Sequence, residues 1–266
     1  MSNHKTLEHY GHALSHIHDT GFAGVAEAAA DMLICALKAS RLTHGRITDL
    51  GCGSGILARR LFDQGYTVEG VDQSVAMLAL AQSRAPGAKF RHESLFDCEI
   101  GPSVAVCAIG ECFNYLFDRN NDDAALDRVL HRVHQSLEGG GIFLFDIATP
   151  DRIVKAPAKN FFQTQDCTTL VENVRSEIPL RMTREISSFV RAGEYYERVD
   201  ETHPLRLIDP DTLAHSITTL GFEFEMFECY GPTPLPTGCV GFLAHKRNAP
   251  GPNKVNRLRG NQAVLP

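Results

Sequence analysis

The sequence predicts a doubly wound α/β fold: a mostly parallel seven-stranded sheet with helices on both faces, and an antiparallel β insertion after the fifth strand. Three observations carry this. Short apolar strands alternate with helix-period segments from residue 46 to about residue 150. A glycine-rich turn, Gly51-Cys52-Gly53-Ser54-Gly55, joins the first of these strands to the helix after it. From about Phe161 to Leu207 the helical period gives way to long segments rich in Thr, Val, Tyr and Phe.

Val25, Ala28, Ala29, Met32, Leu33, Ala36 and Leu37 recur at helical spacing and predict an amphipathic helix with one buried face. Arg46 to Leu50 reads as a strand running into the glycine turn, and Ile56 to Gln64 as a helix closed by Gly65. Tyr66 to Val71 is a second strand ending at Asp72, after which Ser74 can cap the helix carrying Met77, Leu78 and Ala81. Ala88 to His92 and Val104 to Ile109 are the third and fourth strands. Leu126, Val129, Leu130, Val133 and Leu137 mark one face of a helix that Gly139 to Gly141 should terminate, and Ile142 to Asp146 is a fifth strand. Ala192-Gly193 supplies a turn inside the insertion. Helical period returns with Asp209 as cap and Pro210 at the first position, followed by closing strands over Phe222 to Tyr230 and Val240 to His245. The expected organisation is therefore an N-terminal cap over 1–20, a nucleoside-binding core over 21–150, the insertion over 151–208, a completing helix and strands over 209–247, and a disordered tail over 248–266.

Composition narrows the function. The chain has 266 residues, 43% of them hydrophobic and 22% charged, which suits one sizeable soluble core. The start shows no basic segment leading into an apolar stretch, and no apolar run is long enough to span a bilayer, so a cytoplasmic protein without a membrane partner is expected. Eight cysteines are scattered with no CxxC pair, which argues for reduced thiols and no metal site. Residues 1–245 hold 21 basic against 32 acidic residues, a net charge of −11, and such a body repels a polyanion. A small-molecule substrate and a monomer or homodimer are expected.

The chemistry concentrates at Asp49, Gly51, Cys52, Gly53 and Gly55, with Asp72 following 17 residues after Gly55 at the end of the next strand. Glycines let the backbone turn sharply and let a ligand lie against bare main chain at a helix N-terminus, while Asp72 can accept both hydroxyls of a ribose or cap the next helix. A dinucleotide fingerprint would place its third glycine one residue later, and a carboxylate at Asp49 would repel a pyrophosphate. It suits a cationic ligand bearing an ammonium and a sulfonium.

These residues resemble the class I methyltransferases that use S-adenosylmethionine. The family's pattern of a hydrophobic residue, Asp, a hydrophobic residue and then Gly-x-Gly-x-Gly is matched by Thr48 to Gly55, with Thr48 as the one weak position. Val71-Asp72-Gln73-Ser74 matches the acidic end of the second strand. Ala85-Pro86-Gly87-Ala88 with Glu93-Ser94-Leu95, and Leu137-Glu138-Gly139-Gly140-Gly141, extend the match. The resemblance implies S-adenosylmethionine as cofactor and S-adenosylhomocysteine as product. It implies a cofactor site of Asp49, Gly51, Cys52, Gly53, Gly55, Asp72, Gln73, Met77, Ser94, Leu95 and Gly110, with Met77 and Leu95 also serving the core and Ser94 either meeting the adenine amine or capping a turn. The family's usual acidic residue at the start of the fourth strand is replaced here by Val104.

On the acceptor side, the loop Gly110-Glu111-Cys112-Phe113-Asn114-Tyr115 retains polar groups. His12, His16 and His18 lack the companions of a metal site, and Tyr10, His18 and Phe22 are expected in a cap over the substrate pocket. Tyr10, His18 and Glu111 are the candidate catalytic residues, with His203 either a further base or a solvated strand residue. The expected reaction is in-line transfer to an N or O nucleophile of a small metabolite. The alternatives are a noncatalytic nucleoside-binding scaffold on the same fold and, behind it, a nicotinamide oxidoreductase.

Overall fold

The computed structural model describes Asp19 and residues 23–247. Tyr10, His12, His16, His18 and Phe22, together with the tail after Arg247, lie outside the described residues.

Helix α1 spans Ala23–Ala39 and buries Ala29, Ala30, Leu33, Ile34 and Leu37 at the spacing the sequence sets. Strand β1 (Arg46–Leu50), α2 (Ile56–Asp63), β2 (Thr67–Asp72), α3 (Val75–Arg84), β3 (Lys89–His92) and β4 (Ser103–Ala108) then alternate. Helix α4 (Ala125–Ser136) leads into the long β5 (Leu137–Ala148), and α6 (Pro210–Thr219), preceded by the single turn α5 (Asp151–Val154), returns the chain to the core. The last strands are β10 (Phe222–Phe227) and β13 (Cys239–Lys246), with a two-stranded ribbon of β11 (Cys229–Tyr230) and β12 (Thr233–Pro234) between them.

The seven-stranded sheet has the order β10-β13-β5-β4-β1-β2-β3. β13 alone runs against the other six strands, antiparallel to both β10 and β5. One face packs against α1 and α2, the other against α4 and α6, where Phe113, Phe143 and Phe145 meet. All six residues of β4 are buried, as a central parallel strand covered on both faces requires. The insertion is a separate antiparallel sheet, β6 (Lys159–Gln163), β7 (Cys167–Arg175), β8 (Arg181–Ala192) and β9 (Tyr195–Arg206), in sequential order. Gly193 turns β8 into β9 with φ +69°.

Gly139 to Gly141 do not end α4. The helix stops at Ser136, and the glycines form a bulge inside β5, because Ser103 pairs with Leu137 while Ala105 pairs with Ile142. A Cβ on Gly141 would meet the Glu138 carbonyl at 2.9 Å and the Val104 carbonyl at 3.2 Å, so only glycine fits the excursion. The weak motif position is also accounted for. Thr48 is buried, and its Oγ1 lies 3.1 Å from Ser103 Oγ, so the two hydroxyls satisfy each other across β1 and β4 beside Val104.

Candidate active site

The carboxyl ends of four neighbouring strands build the site. Asp49 is next to last in β1, Asp72 ends β2, Gly110 follows β4, and Asp146 lies near the end of β5. Gly51, Gly53 and Gly55 have φ of +75°, +51° and +75°, the left-handed region that side chains resist. A Cβ on Gly55 would sit 2.9 Å from the Cα of Ala81, so this glycine lets α2 and α3 pack together. Among the described residues nothing lies within 4 Å of a Cβ built on Gly53.

Asp72 braces the turn from beneath: its Oδ2 accepts the Gly53 N–H at 2.8 Å and its Oδ1 the Ser74 N–H at 2.8 Å. With the Gln73 N–H as a third backbone donor, the carboxylate keeps acceptor capacity for a ribose hydroxyl. Burial raises its pKa, against those backbone hydrogen bonds. Asp49 is buried, its Oδ1 accepts from the Cys107 thiol at 3.5 Å, and its Oδ2 has no hydrogen-bond partner among the described residues. Desolvation lifts its pKa to about 7, with the Cys107 hydrogen bond opposing and the charge of Asp72 adding to the rise. A buried carboxylate oxygen without a partner is a vacancy for a donor, and a cation would fill it best.

The remaining cofactor candidates divide. Cys52 packs against Gly70, and burial together with the charges of Asp72 and Asp49 pushes its thiol well up, which makes it a packing group. Met77 is buried and its N–H donates to Ser74 Oγ at 3.1 Å, which is the helix cap the sequence predicts. Leu95 lies beside the turn, its Cδ2 3.8 Å from a Cβ built on Gly51. The exposed Gln73 presents its carbonyl to His92 Nε2 at 2.8 Å. Ser94 caps the turn, its Oγ accepting from Phe96 N–H at 3.1 Å and donating to Asp118 Oδ2 at 2.6 Å, which leaves one lone pair to accept from an adenine amine.

Gly110, with φ +95°, donates its N–H to both oxygens of Asp146 at 3.1 and 3.0 Å, and Glu111 N–H donates to Oδ1 at 2.6 Å. The Tyr230 hydroxyl donates to Oδ2 at 2.7 Å. Desolvation raises Asp146 to about 6 against these bonds. Sequence reading missed Asp146 as a site residue, although an acid closing an otherwise apolar strand was its signal.

Glu111 corrects an expectation. It is held at φ +61°, a strained conformation that its surroundings enforce. Its Oε2 accepts from Arg184 at 2.7 Å, while its Oε1 accepts from the Cys239 thiol at 2.9 Å and lies 3.6 Å from Arg152. Burial would raise this carboxyl, but the charges of Arg184 and Arg152 and the Cys239 hydrogen bond outweigh it and bring it to about 2. So acidic a group is a poor proton acceptor at neutral pH, and Glu111 serves as the anion that docks β8 onto the core.

His203 is fully buried rather than a solvated strand residue. Its Nε2 donates to Glu201 at 2.9 Å, and its ring lies edge-on to Tyr115 and Phe117 from the loop after β4, at 5.8 and 5.4 Å. Tyr115 OH in turn accepts from Arg184 at 3.2 Å. The β9 strand thus brings a carboxylate-oriented imidazole against the loop that begins at Gly110. Among the described residues, no group of His, Cys, Asp and Glu is placed to hold a metal ion, and no helix is long and apolar enough to cross a membrane.

Comparison with known proteins places this geometry. Residues 47–141 match the family model of a methyltransferase domain. The chain is 28% identical over 220 residues to the putative methyltransferase YqeM of Bacillus subtilis (strain 168), covering 77% of this chain and 86% of that protein. It is 30% identical over 191 residues to a putative methyltransferase of Geobacillus sp. (strain WCH70), covering 66% of this chain and 73% of that one. A crystal structure of an S-adenosylmethionine-dependent methyltransferase from Clostridium acetobutylicum ATCC 824 superposes with a TM-score of 0.74 at 21% identity, over 89% of this chain and 98% of that one. S-adenosylmethionine-bound CalS10, an amino pentose methyltransferase from Micromonospora echinaspora, gives 0.70 at 19% identity, over 86% and 96%. The chain belongs to the methyltransferase family, in its S-adenosylmethionine-dependent class I. The nicotinamide and scaffold alternatives are set aside.

The residues fit this cofactor on the structure's own terms. Among the described residues the Asp49 oxygen is left without a partner and suits an ammonium, the face of Gly53 is clear for a ligand against main chain, and Asp72 keeps acceptor capacity for a ribose hydroxyl.

Proposed function

We propose that the chain methylates an N or O nucleophile of a small soluble molecule, held between the loop 110–118 and the β6–β9 sheet, and that His203 accepts the proton the nucleophile loses. Asp49, Gly51, Gly53, Asp72, Met77, Leu95 and Gly110 would hold S-adenosylmethionine, which supplies an electrophilic methyl group when bound. Cys52, Gly55 and Gln73 would support that site from behind and beside the turn. Tyr10 and His18, which lie outside the described residues, stay catalytic candidates on sequence grounds alone.

The observation that carries the reading is the pair Glu201 and His203. Two ionisable groups are buried together on the inserted sheet, facing the loop after β4, where apolar packing would serve stability as well. Glu201 accepts a hydrogen bond from His203 Nε2 and so holds the imidazole in one orientation. The chain's contribution is to orient the acceptor, exclude water with Tyr115 and Phe117, and receive a proton at His203. The shared fold with an amino pentose methyltransferase fits an acceptor of that size.

A screen of amine- and hydroxyl-bearing metabolites with methyl-labelled S-adenosylmethionine tests the reading. We expect label in a small molecule, and His203→Gln should lower turnover about 100-fold or more while S-adenosylhomocysteine still binds. Label only in protein or nucleic acid would contradict the substrate class; full turnover by the variant would remove His203.

A further inference from the structure

We propose that Asp19 is a positioning residue for the cofactor loop, holding the glycine turn in its binding-competent shape through Ser54 and Arg84. The inference rests on assigning the glycine turn to the cofactor. Ser54 Oγ donates to Asp19 Oδ1 at 2.5 Å, and Arg84 Nη2 donates to Asp19 Oδ2 at 2.8 Å. Arg84 Nη1 also donates to the Ser54 carbonyl, closing a three-membered knot. The knot joins the residue ahead of α1, the middle of the turn and the last turn of α3.

The turn needs such an anchor. Three of its five residues are glycine, the residue with the most conformational freedom to lose on folding. Its N–H ties run to main chain or to Asp72: Gly51 and Cys52 N–H donate to the Val71 carbonyl at 2.7 and 3.0 Å, Gly53 N–H donates to Asp72, and Gly55 N–H closes the turn onto the Cys52 carbonyl at 3.0 Å, so the Ser54 side chain and carbonyl are left to Asp19 and Arg84. Ser54, between two left-handed glycines and almost fully buried, is fixed by Asp19 and Arg84. The side chains of Asp19 and Arg84 are 18% and 30% exposed, so water screens the pair only partly. If loss of the knot leaves the turn competent about one-tenth of the time, apparent cofactor affinity falls about tenfold, because the competent fraction divides the intrinsic constant.

The test is titration of the full chain with S-adenosylhomocysteine, combined with hydrogen exchange of the turn amides in the cofactor-free protein. Asp19→Asn should raise Kd about tenfold and speed exchange at residues 53–56. Arg84→Gln should do the same, and the double variant should be no worse than the weaker-binding single, since one knot is broken either way. A Kd within twofold of wild type overturns the proposal. So does a raised Kd with unchanged exchange, which would make Asp19 a direct ligand contact, and so does additivity of the two losses. If Asp19→Asn does not fold, Ser54→Ala removes only the hydroxyl; it should shift Kd and exchange in the same direction, and no shift overturns the proposal. Asp72→Ala run in parallel separates the two readings. A weakened Asp72 variant beside an unaffected Asp19 variant rejects this inference alone, whereas an unaffected Asp72 variant rejects the site assignment and this inference with it.

Discussion

Burial raises the Asp49 carboxyl from 3.8 to about 7, so between those values the folded, cofactor-free chain keeps a proton that the unfolded chain has released. Its contribution to stability is therefore present in acid and is lost as pH rises through that window, by as much as about 4 kcal/mol at the upper limit. Asp49→Asn removes the titration. Its melting temperature should pull ahead of the cofactor-free wild type as pH goes from 5 to 8, while its cofactor affinity falls, because the carboxylate that answers the ammonium is gone. A gap that does not widen with pH would mean that Asp49 is already solvated or paired. Asp49 was readable because the motif names both the acid and its neighbours. Glu111 was readable only as a polar group near the acceptor. Its partners Arg152 and Arg184 stand 41 and 73 residues later in the chain, with nothing in their own surroundings to mark them, so an anion clamped by two guanidinium groups looked like a base.

Between core and insertion, Asn114 is the joint. Its Nδ2 donates to the carbonyls of Ala148 and Arg206 at 2.8 and 2.6 Å, and its Oδ1 accepts the Ala148 N–H at 3.0 Å, tying the loop after β4 to the ends of β5 and β9. It is fully buried, so Asn114→Ala strands backbone groups from water and should cost about 2 to 4 kcal/mol. Chemical denaturation measures the loss, and a change below about 1 kcal/mol would show that the insertion docks through other contacts. The strands and helices themselves were legible because the period of apolar residues reports burial directly, and capping by Ser74 and Asp209 follows from local chemistry. Gly139 to Gly141 were misread because a glycine run ends a helix and makes a strand bulge equally well. The register of β4 against β5 decides between them, and register is a long-range property.

Across the whole molecule, parallel strands bring their carboxyl ends to one edge, and the glycine turn, the loop after β4 and the inserted sheet meet there. That placement follows from the alternating pattern of the chain, which is why the residues proposed for the cofactor could be named from sequence. The acceptor half depends on how the insertion folds back to set His203 against Tyr115, a contact between residues 88 apart that no local pattern encodes. The central claim is that the turn from Gly51 to Gly55, with Asp72, is where the cofactor binds. Isothermal titration of S-adenosylhomocysteine into the wild type and into Asp72→Ala measures it most directly. The account predicts one-to-one binding by the wild type and a loss of about 2 to 3 kcal/mol, or about 30- to 150-fold in Kd, in a variant that stays folded. Equal affinity in the two folded proteins would contradict it.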